Sequence, residues 1–498
     1  MANEEDILKA RRERAERLRA SGAELFPARV PEGIARLPEL VAELGARSAE
    51  ELERDAREAC VAGRIMILRS FGKAAFLDVQ AEGVRIQVWV KRDAVGVDAY
   101  EQFKLYEIGD FLWARGRIVR TKSGELTVEA VALGFLGKAY RPLPEKFHGL
   151  QDVEERYRKR YLDLLTNAES RDVAIRRSRL VQALRSVLDA RGFVEVETPI
   201  LQPIYGGANA QPFTTLHNTY DQELFLRISF ELYLKRLVVG GIDRVYEIGR
   251  DFRNEGVSRK HNPEFSMLEV YQAYADYEDM MELTESLVAG AAERANGTLA
   301  LEWAGQTLDL TPPWPRRRMT DLIKAATGVD IELNPTLESL RSAVAQARVP
   351  GVDAAAQPSW ARLVDELFSQ TVEPGLLAPC FVIDYPVELS PLAKASTAHP
   401  GFVERFEAFA GGMELANAFS ELNDPDEQRS RFLEQARARQ AGDLDAQPID
   451  EDFVLALEHG MPPCGGMGMG VGRLAMFLLG QPNIRDVKLF PHLRPRSA

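Results

Sequence analysis

Between Cys60 and Gly137 the chain breaks into five short segments: VAGRIMILRSF, KAAFLDVQ, VRIQVWVKRD, FLWARGRIVR and ELTVEAVALGF. Several alternate apolar with polar residues, and Gly and charged residues separate them. Alternation of period two gives a strand one face for a core and one for solvent. Five such strands in about eighty residues predict a small Greek-key barrel. At 498 residues the chain is too long for that core alone, so two or three domains are expected.

An OB-fold is the leading candidate for the barrel. Such barrels often bind single-stranded nucleic acid on one face, with aromatics that stack on bases. Phe76, Gln87 and Trp89 lie on predicted strands, and the pattern alone leaves open whether they serve a ligand or the core. Residues 1–55 read as helices broken at PARVPEG. One of these helices carries six basic residues against two acidic ones between Lys9 and Arg19. That suits either a solvated helix with Glu–Arg pairs or a helix that contacts phosphates. AYRPLPEKFHGLQD, 139–152, is a Pro-containing connection.

Beyond it, RYRKRYLDLL and the stretch 171–191 read as helices, the latter burying Leu180, Leu184, Val187 and Leu188. GFVEVETPILQPIYGG is extended, and 213–271 is mostly strand around a helix at ELYLKRLVV. Residues 275–295 and roughly 317–370 read as helical. The last 120 residues return to strands and end in the helix RLAMFLLG. Runs of strands and helices without βαβ alternation predict an α+β domain with an antiparallel sheet flanked by helices. The expected organisation is an N-terminal helical extension over 1–55, the barrel over 56–140, a linker over 141–155 and the α+β domain over 156–498.

Apolar content of 45% and charged content of 28% are ordinary for a soluble globular protein. A net charge of −13 argues, taken bluntly, against a nucleic-acid partner. Cys60, Cys380 and Cys464 lie far apart without CxxC spacing, which suggests a reducing compartment and neither a disulfide framework nor a zinc site. The opening MANEED lacks an apolar region, and no apolar run reaches the ~18–20 residues of a membrane span. A cytoplasmic location and no membrane partner are expected.

Three stretches carry chemistry. FRNEGVSRKHNPEF, 252–265, packs Arg253, Arg259, Lys260 and His261 between two aromatics, with Gly256 and Pro263 against a single helix. EFSMLEVY places Phe265, Met267, Glu269 and Tyr271 on one strand face, and ELANAFSEL places Asn417, Phe419 and Glu421 on another. Glu414 lies one phase off, so it faces away unless a bulge re-aims it. Carboxylates at inward phases on several strands suggest an acidic floor; a solvated sheet face is the competing reading. GMPPCGGMGMGVGRLAMFLLG sets Gly465, Gly466, Gly468, Gly470 and Gly472 before a short apolar helix that opens with Arg473. Glycines let a ligand approach the backbone, and a helix N-terminus favours anions, but the run is neither a Walker A nor a Rossmann sequence.

Together these pieces resemble the class II aminoacyl-tRNA synthetases. FRNEG with HNPEF resembles motif 2 (about 245–271), GMGMGVGRLAMFLLG motif 3 (about 465–480), and the segment ending FVEVETPIL motif 1 (about 175–205). GGANAQPF, ELSPLAK, ANAFSELNDPDEQ and ALEHGMPPCGGMGMG resemble the lysyl-tRNA synthetase branch, from about residue 5 to 495. The resemblance implies lysine activation with ATP and Mg²⁺, transfer to tRNA(Lys), and a homodimer formed through motif 1. It implies that Arg253 and Arg473 act on the phosphates, with Glu255, His261, Asn262 and Phe265 on the nucleotide. Glu231, Glu269 and Glu421 would recognise lysine, lined by Gly207, Tyr271, Asn417 and Phe419. Glu407 and Glu414 would hold metal, and Phe76, Gln87 and Glu125 the anticodon. Four positions depart from the family pattern: Gly472 replaces an Asp that would orient Arg473, Gln211 a basic residue, Lys260 an Arg and Phe230 a Pro. Two other functions remain in view, a lysine-activating paralogue that modifies a protein and a degenerate synthetase serving as an RNA scaffold. The barrel weighs against the first and the intact set of site residues against the second.

Overall fold

In the computed structural model, which describes residues 4–144, 150–440 and 447–496, the chain divides into two compact units, Met1–Arg171 and Asp172–Ala498. The first opens with helices Glu4–Ala20, Leu37–Leu44 and Ala49–Asp55. Arg11, Ala15 and Leu18, spaced one turn apart, form the buried stripe of the first helix. Arg11 donates to the carbonyls of Ala139 (3.0 Å) and Ile108 (3.1 Å). Arg14 meets Glu107 and Arg19 meets Glu16, so much of the basic run is spent within the unit on ion pairs and caps.

The five expected strands are β1 (Glu58–Phe71), β2 (Ala74–Ala81), β3 (Val84–Lys91), β4 (Phe111–Arg120) and β5 (Leu126–Gly137). They close in the order β1-β2-β3-β5-β4, the OB-fold expected from the alternation. Leu77, Val79, Ile86, Val88 and Val90 fill the interior while Phe76, Gln87 and Trp89 point out between them. Closure demands close approach at the β4–β5 bulge, where a Cβ on Gly116 would strike the backbone of Glu129. The middle of the Pro-containing connection, 145–149, lies outside the described residues.

In the second unit come β6 (Val194–Glu195), β7 (Leu201–Gln202), β8 (Thr214–His217), β9 (Gln222–Leu226), β10 (Arg244–Phe252) and β11 (Glu264–Ala273). They are followed by β12 (Ala300–Trp303), β13 (Gln306–Asp309), β14 (Arg316–Arg318), β15 (Cys380–Pro386), β16 (Phe402–Ala410), β17 (Met413–Ser420) and β18 (Cys464–Gly470). Eight form one sheet in the order β14-β15-β16-β17-β18-β11-β10-β6. Its six central strands are antiparallel, as expected, and each edge adds a short parallel strand. Helix Ala168–Ala190 presents Leu180, Leu184 and Leu188 to the core beneath this sheet, with Val187 only partly buried, and Tyr277–Asn296 packs into the same core. Two differences from the sequence reading stand out. The last 120 residues are not all strand before the final helix, because helices Pro425–Gln440 and Glu451–Glu458 are inserted there. The glycine run before Arg473 is itself a central strand, β18, and the helix Val471–Leu478 begins only after it.

Candidate active site

The two long antiparallel strands β10 and β11 are joined by the loop 253–263, and their pairing sets Glu247 opposite Glu269. Along β11 the alternation sends Leu268 and Val270 into the core and Phe265, Met267, Glu269 and Tyr271 into a cleft. Asn417 and Phe419 enter the same cleft from β17. Between these strands runs β18, with Gly468 paired to Glu269 and Asn417, and Gly466 to Tyr271 and Phe419. Glycine ordinarily weakens a strand. Here it clears space, since a Cβ on Gly466 would land on the Glu421 carboxylate and the Tyr271 ring. At the other end of β17 the β16 register jumps from Ala416 to Glu414, so the bulge re-aims Glu414 into the cleft.

The floor is acidic and buried. Glu269, 4% exposed, accepts from Ser229 Oγ at 2.9 Å and from the Tyr271 hydroxyl at 3.4 Å. Burial, reinforced by the charges of Asp251 and Glu231, pushes its carboxyl well above the ordinary value. Glu231 accepts from Lys235 Nζ at 2.6 Å, and the same ammonium pairs with Glu421. Glu421 lies behind the lining made by Gly466 and Tyr271, 1% exposed. Gly207, in the left-handed region at φ 85, donates its N–H to Gln447 Oε1 at 2.9 Å and edges the floor.

The opposite side is a cationic shelf. The Arg253 guanidinium lies 5.0 Å over the Phe265 ring. Arg473 donates to Glu414 Oε2 at 2.7 Å, and its other nitrogen lies 3.0 Å from His261 Nε2. Arginine can only donate, so Nε2 accepts and the His261 proton sits on Nδ1, 2.8 Å from Ser258 Oγ. Burial and the neighbouring Arg473 lower the His261 pKa, which keeps this neutral tautomer. Asn262 donates to the Glu264 carbonyl at 2.7 Å, and Lys260 to that of Gly412 at 2.9 Å. Glu255 lines the mouth, exposed. Arg473 is therefore oriented by Glu414 and His261 although residue 472 is glycine.

Glu407 lies beside Glu414 and is held by Arg405 at 2.7 Å. Burial and the Glu414 charge raise the Glu407 carboxyl to about 7. Burial also works to raise Glu414, but Arg473 overrides it and brings that carboxyl below its ordinary value. Two buried carboxylates that act on each other's charge favour a cation beside them. Among the described residues no three His, Cys, Asp or Glu side chains form a self-sufficient metal cage, so a metal here would need further oxygens from a ligand or water.

The cleft thus gathers thirteen of the expected residues: Gly207, Glu231, Arg253, Glu255, His261, Asn262, Phe265, Glu269, Tyr271, Glu414, Asn417, Phe419 and Arg473. Glu407 and Glu421 sit immediately behind its lining. Phe76, Gln87 and Glu125 belong to the barrel unit. There Phe76 stacks on Trp89 at 5.3 Å, Gln87 Oε1 accepts from Thr127 Oγ1 at 3.0 Å, and Glu125 is exposed. The sequence reading missed three participants. Lys235 could have been found as the helical i+4 partner of Glu231. Arg405, which binds Asn417 Oδ1 (3.0 Å) as well as Glu407, shares a strand face with Glu407. Ser229, which holds Glu269, had no pattern to announce it.

Residues 152–494 match the family model for class II tRNA synthetases (D, K and N), and residues 59–133 match the model for an OB-fold nucleic acid binding domain. The chain belongs to the class II tRNA synthetases, and it is an ATP-dependent aminoacyl-tRNA ligase. It is 50% identical to the lysine–tRNA ligase of Moorella thermoacetica, over 99% of both chains. It is 48% identical to that of Bacillus subtilis, over 99% of this chain and 98% of the relative. With the lysine–tRNA ligase of Trichormus variabilis identity is 47%, over 100% of this chain and 89% of the relative.

Proposed function

We propose that this chain is a lysine–tRNA ligase, which activates L-lysine with ATP and passes it to the 3′ end of tRNA(Lys). One observation carries the reading: a buried carboxylate floor and a cationic shelf meet in one cleft, matched to the ammonium and phosphate ends of the two substrates. Arg253 grips the α-phosphate, while Glu255, His261 and Asn262 hold the nucleotide. Phe265 lies under adenine, and Arg473 covers its other face and reaches the γ-phosphate. Glu231, Glu269 and Glu421 receive the lysine ammonium groups, with Gly207, Tyr271, Asn417 and Phe419 as walls.

The lysine carboxylate is already ionised, so no general base is needed when it attacks the α-phosphorus. The new C–O–P bond forms as pyrophosphate leaves with the electron pair of the α–β bridge. Charge grows on phosphoryl oxygens, and preorganised cations stabilise it without reorganising. Glu407 and Glu414 would hold Mg²⁺, which neutralises phosphate charge when bound. A terminal ribose hydroxyl of tRNA then attacks the lysyl carbonyl and AMP departs. Residues 56–140 read the anticodon through Phe76, Gln87 and Glu125, joined by a linker over 141–155 to the catalytic domain, 156–498. The enzyme works as a cytoplasmic homodimer paired through 175–205.

The test is charging. Purified protein with ATP, Mg²⁺, labelled lysine and total tRNA should yield acid-precipitable label that ribonuclease removes. Label that survives ribonuclease and is removed by protease would mean a protein acceptor instead and would overturn the assignment.

A further inference from the structure

Resting on the lysine reading above, the floor holds a feature which that reading does not use. Lys235 is wholly buried, yet its ammonium sits 2.6 Å from Glu231 Oε1 and also pairs with Glu421. Its Nζ lies 5.4 Å from the Phe419 ring centre and 5.9 Å from those of Tyr271 and Phe453. A cation among carboxylates and aromatic faces is the arrangement that a substrate ammonium would itself require. Phe419, Tyr271 and Glu231 also line the cleft, so the resident and incoming ammonium groups share these walls. Among the described residues Glu421 Oε1 is buried without a hydrogen-bond partner, and it lies against Gly466, which forms the cleft floor. The nearby cation Arg405 is already matched by Glu407.

We propose that Lys235 is a built-in counter-ion, a positioning residue that holds Glu231 and Glu421 ionised and fixed so that the floor can take ammonium groups from the substrate. Two carboxylates this close cannot both stay ionised in a dry site without a cation between them. Lacking Lys235 they would share a proton, and one would turn a donor toward an ammonium that needs an acceptor.

The experiment is lysine-dependent ATP–pyrophosphate exchange on Lys235→Met and Lys235→Ala beside the wild type, with thermal melts to confirm folding. Both variants should lose about 100-fold or more in kcat/KM for lysine, with ATP KM within about threefold. Propylammonium should restore much of the loss in Lys235→Ala, while 1-propanol, of the same size but neutral, should not. Wild-type-like use of lysine by Lys235→Met, or equal rescue by propanol, would overturn the proposal. Wild-type protein that fails to exchange with lysine at all would sink the lysine reading itself, and so the two failures are distinct.

Discussion

The floor and the shelf of the cleft solve opposite electrostatic problems with opposite architecture. The floor gathers carboxylates on a strand, just past the end of another strand and on a helix, buried to within a few per cent of full enclosure. The shelf gathers cations, Arg253 and Lys260 on a loop and Arg473 in the first turn of a helix, all partly open to solvent. On the proposed function the floor would desolvate an ammonium and recover the cost through paired charges, which demands rigid elements. The shelf would admit a phosphate-bearing ligand and release pyrophosphate, which favours half-exposed groups that already have partners. That function assigns amino-acid specificity to the floor and catalytic power to the shelf.

The sharpest way to break this division is Glu269→Gln. Removing one partner of a buried charge contact costs about 3–5 kcal/mol, so kcat/KM for lysine should fall by about 10²–10⁴ while ATP KM barely moves. Parallel loss of ATP affinity would show that the two halves are not separable. Next comes Arg473→Ala, expected to lower the rate of adenylate formation about 100-fold, with lysine binding by calorimetry unchanged. It would also free Glu414, whose carboxyl should then rise toward that of Glu407, so the residual activity of the variant should fall off at a higher pH than in the wild type. A smaller effect belongs to the barrel. Phe76→Ala should weaken tRNA charging about tenfold, the cost of one lost base–aromatic stack, and leave pyrophosphate exchange intact. The smallest is Gly472→Asp. A Cβ there meets only Ile484 at 3.2 Å, and Glu414 already orients Arg473. Exchange rates should stay within about threefold of wild type; a large gain would mean that the acidic residue usual in the family does something that Glu414 does not.

The two halves also differ in how far they could be read from sequence. The floor was legible because Glu269, Tyr271, Asn417 and Phe419 obey the period of a strand, and the bulge that turns Glu414 inward could be stated as a condition. The shelf was legible only through resemblance, since a loop such as 253–263 has no periodicity from which to compute where Arg253 or His261 points. The β18 strand was not assigned from the glycine run before the helix because glycine carries no hydrophobic pattern. Only its neighbours' need for space explains it. Lys235 was missed for the converse reason. A lysine on a predicted helix reads as solvated, and nothing in ELYLKRLVV reveals that Glu421, far along the chain, closes over it. Helices Pro425–Gln440 and Glu451–Glu458 escaped because the strand signal on either side of them was strong.

The most direct measurement is amino-acid-dependent ATP–pyrophosphate exchange, run with each of the twenty amino acids in the absence of tRNA. Exchange is expected with lysine alone, because only lysine brings a side-chain ammonium of the right reach to the carboxylate floor. Exchange driven by aspartate, asparagine or another amino acid, or none at all in folded protein with Mg²⁺, would contradict it.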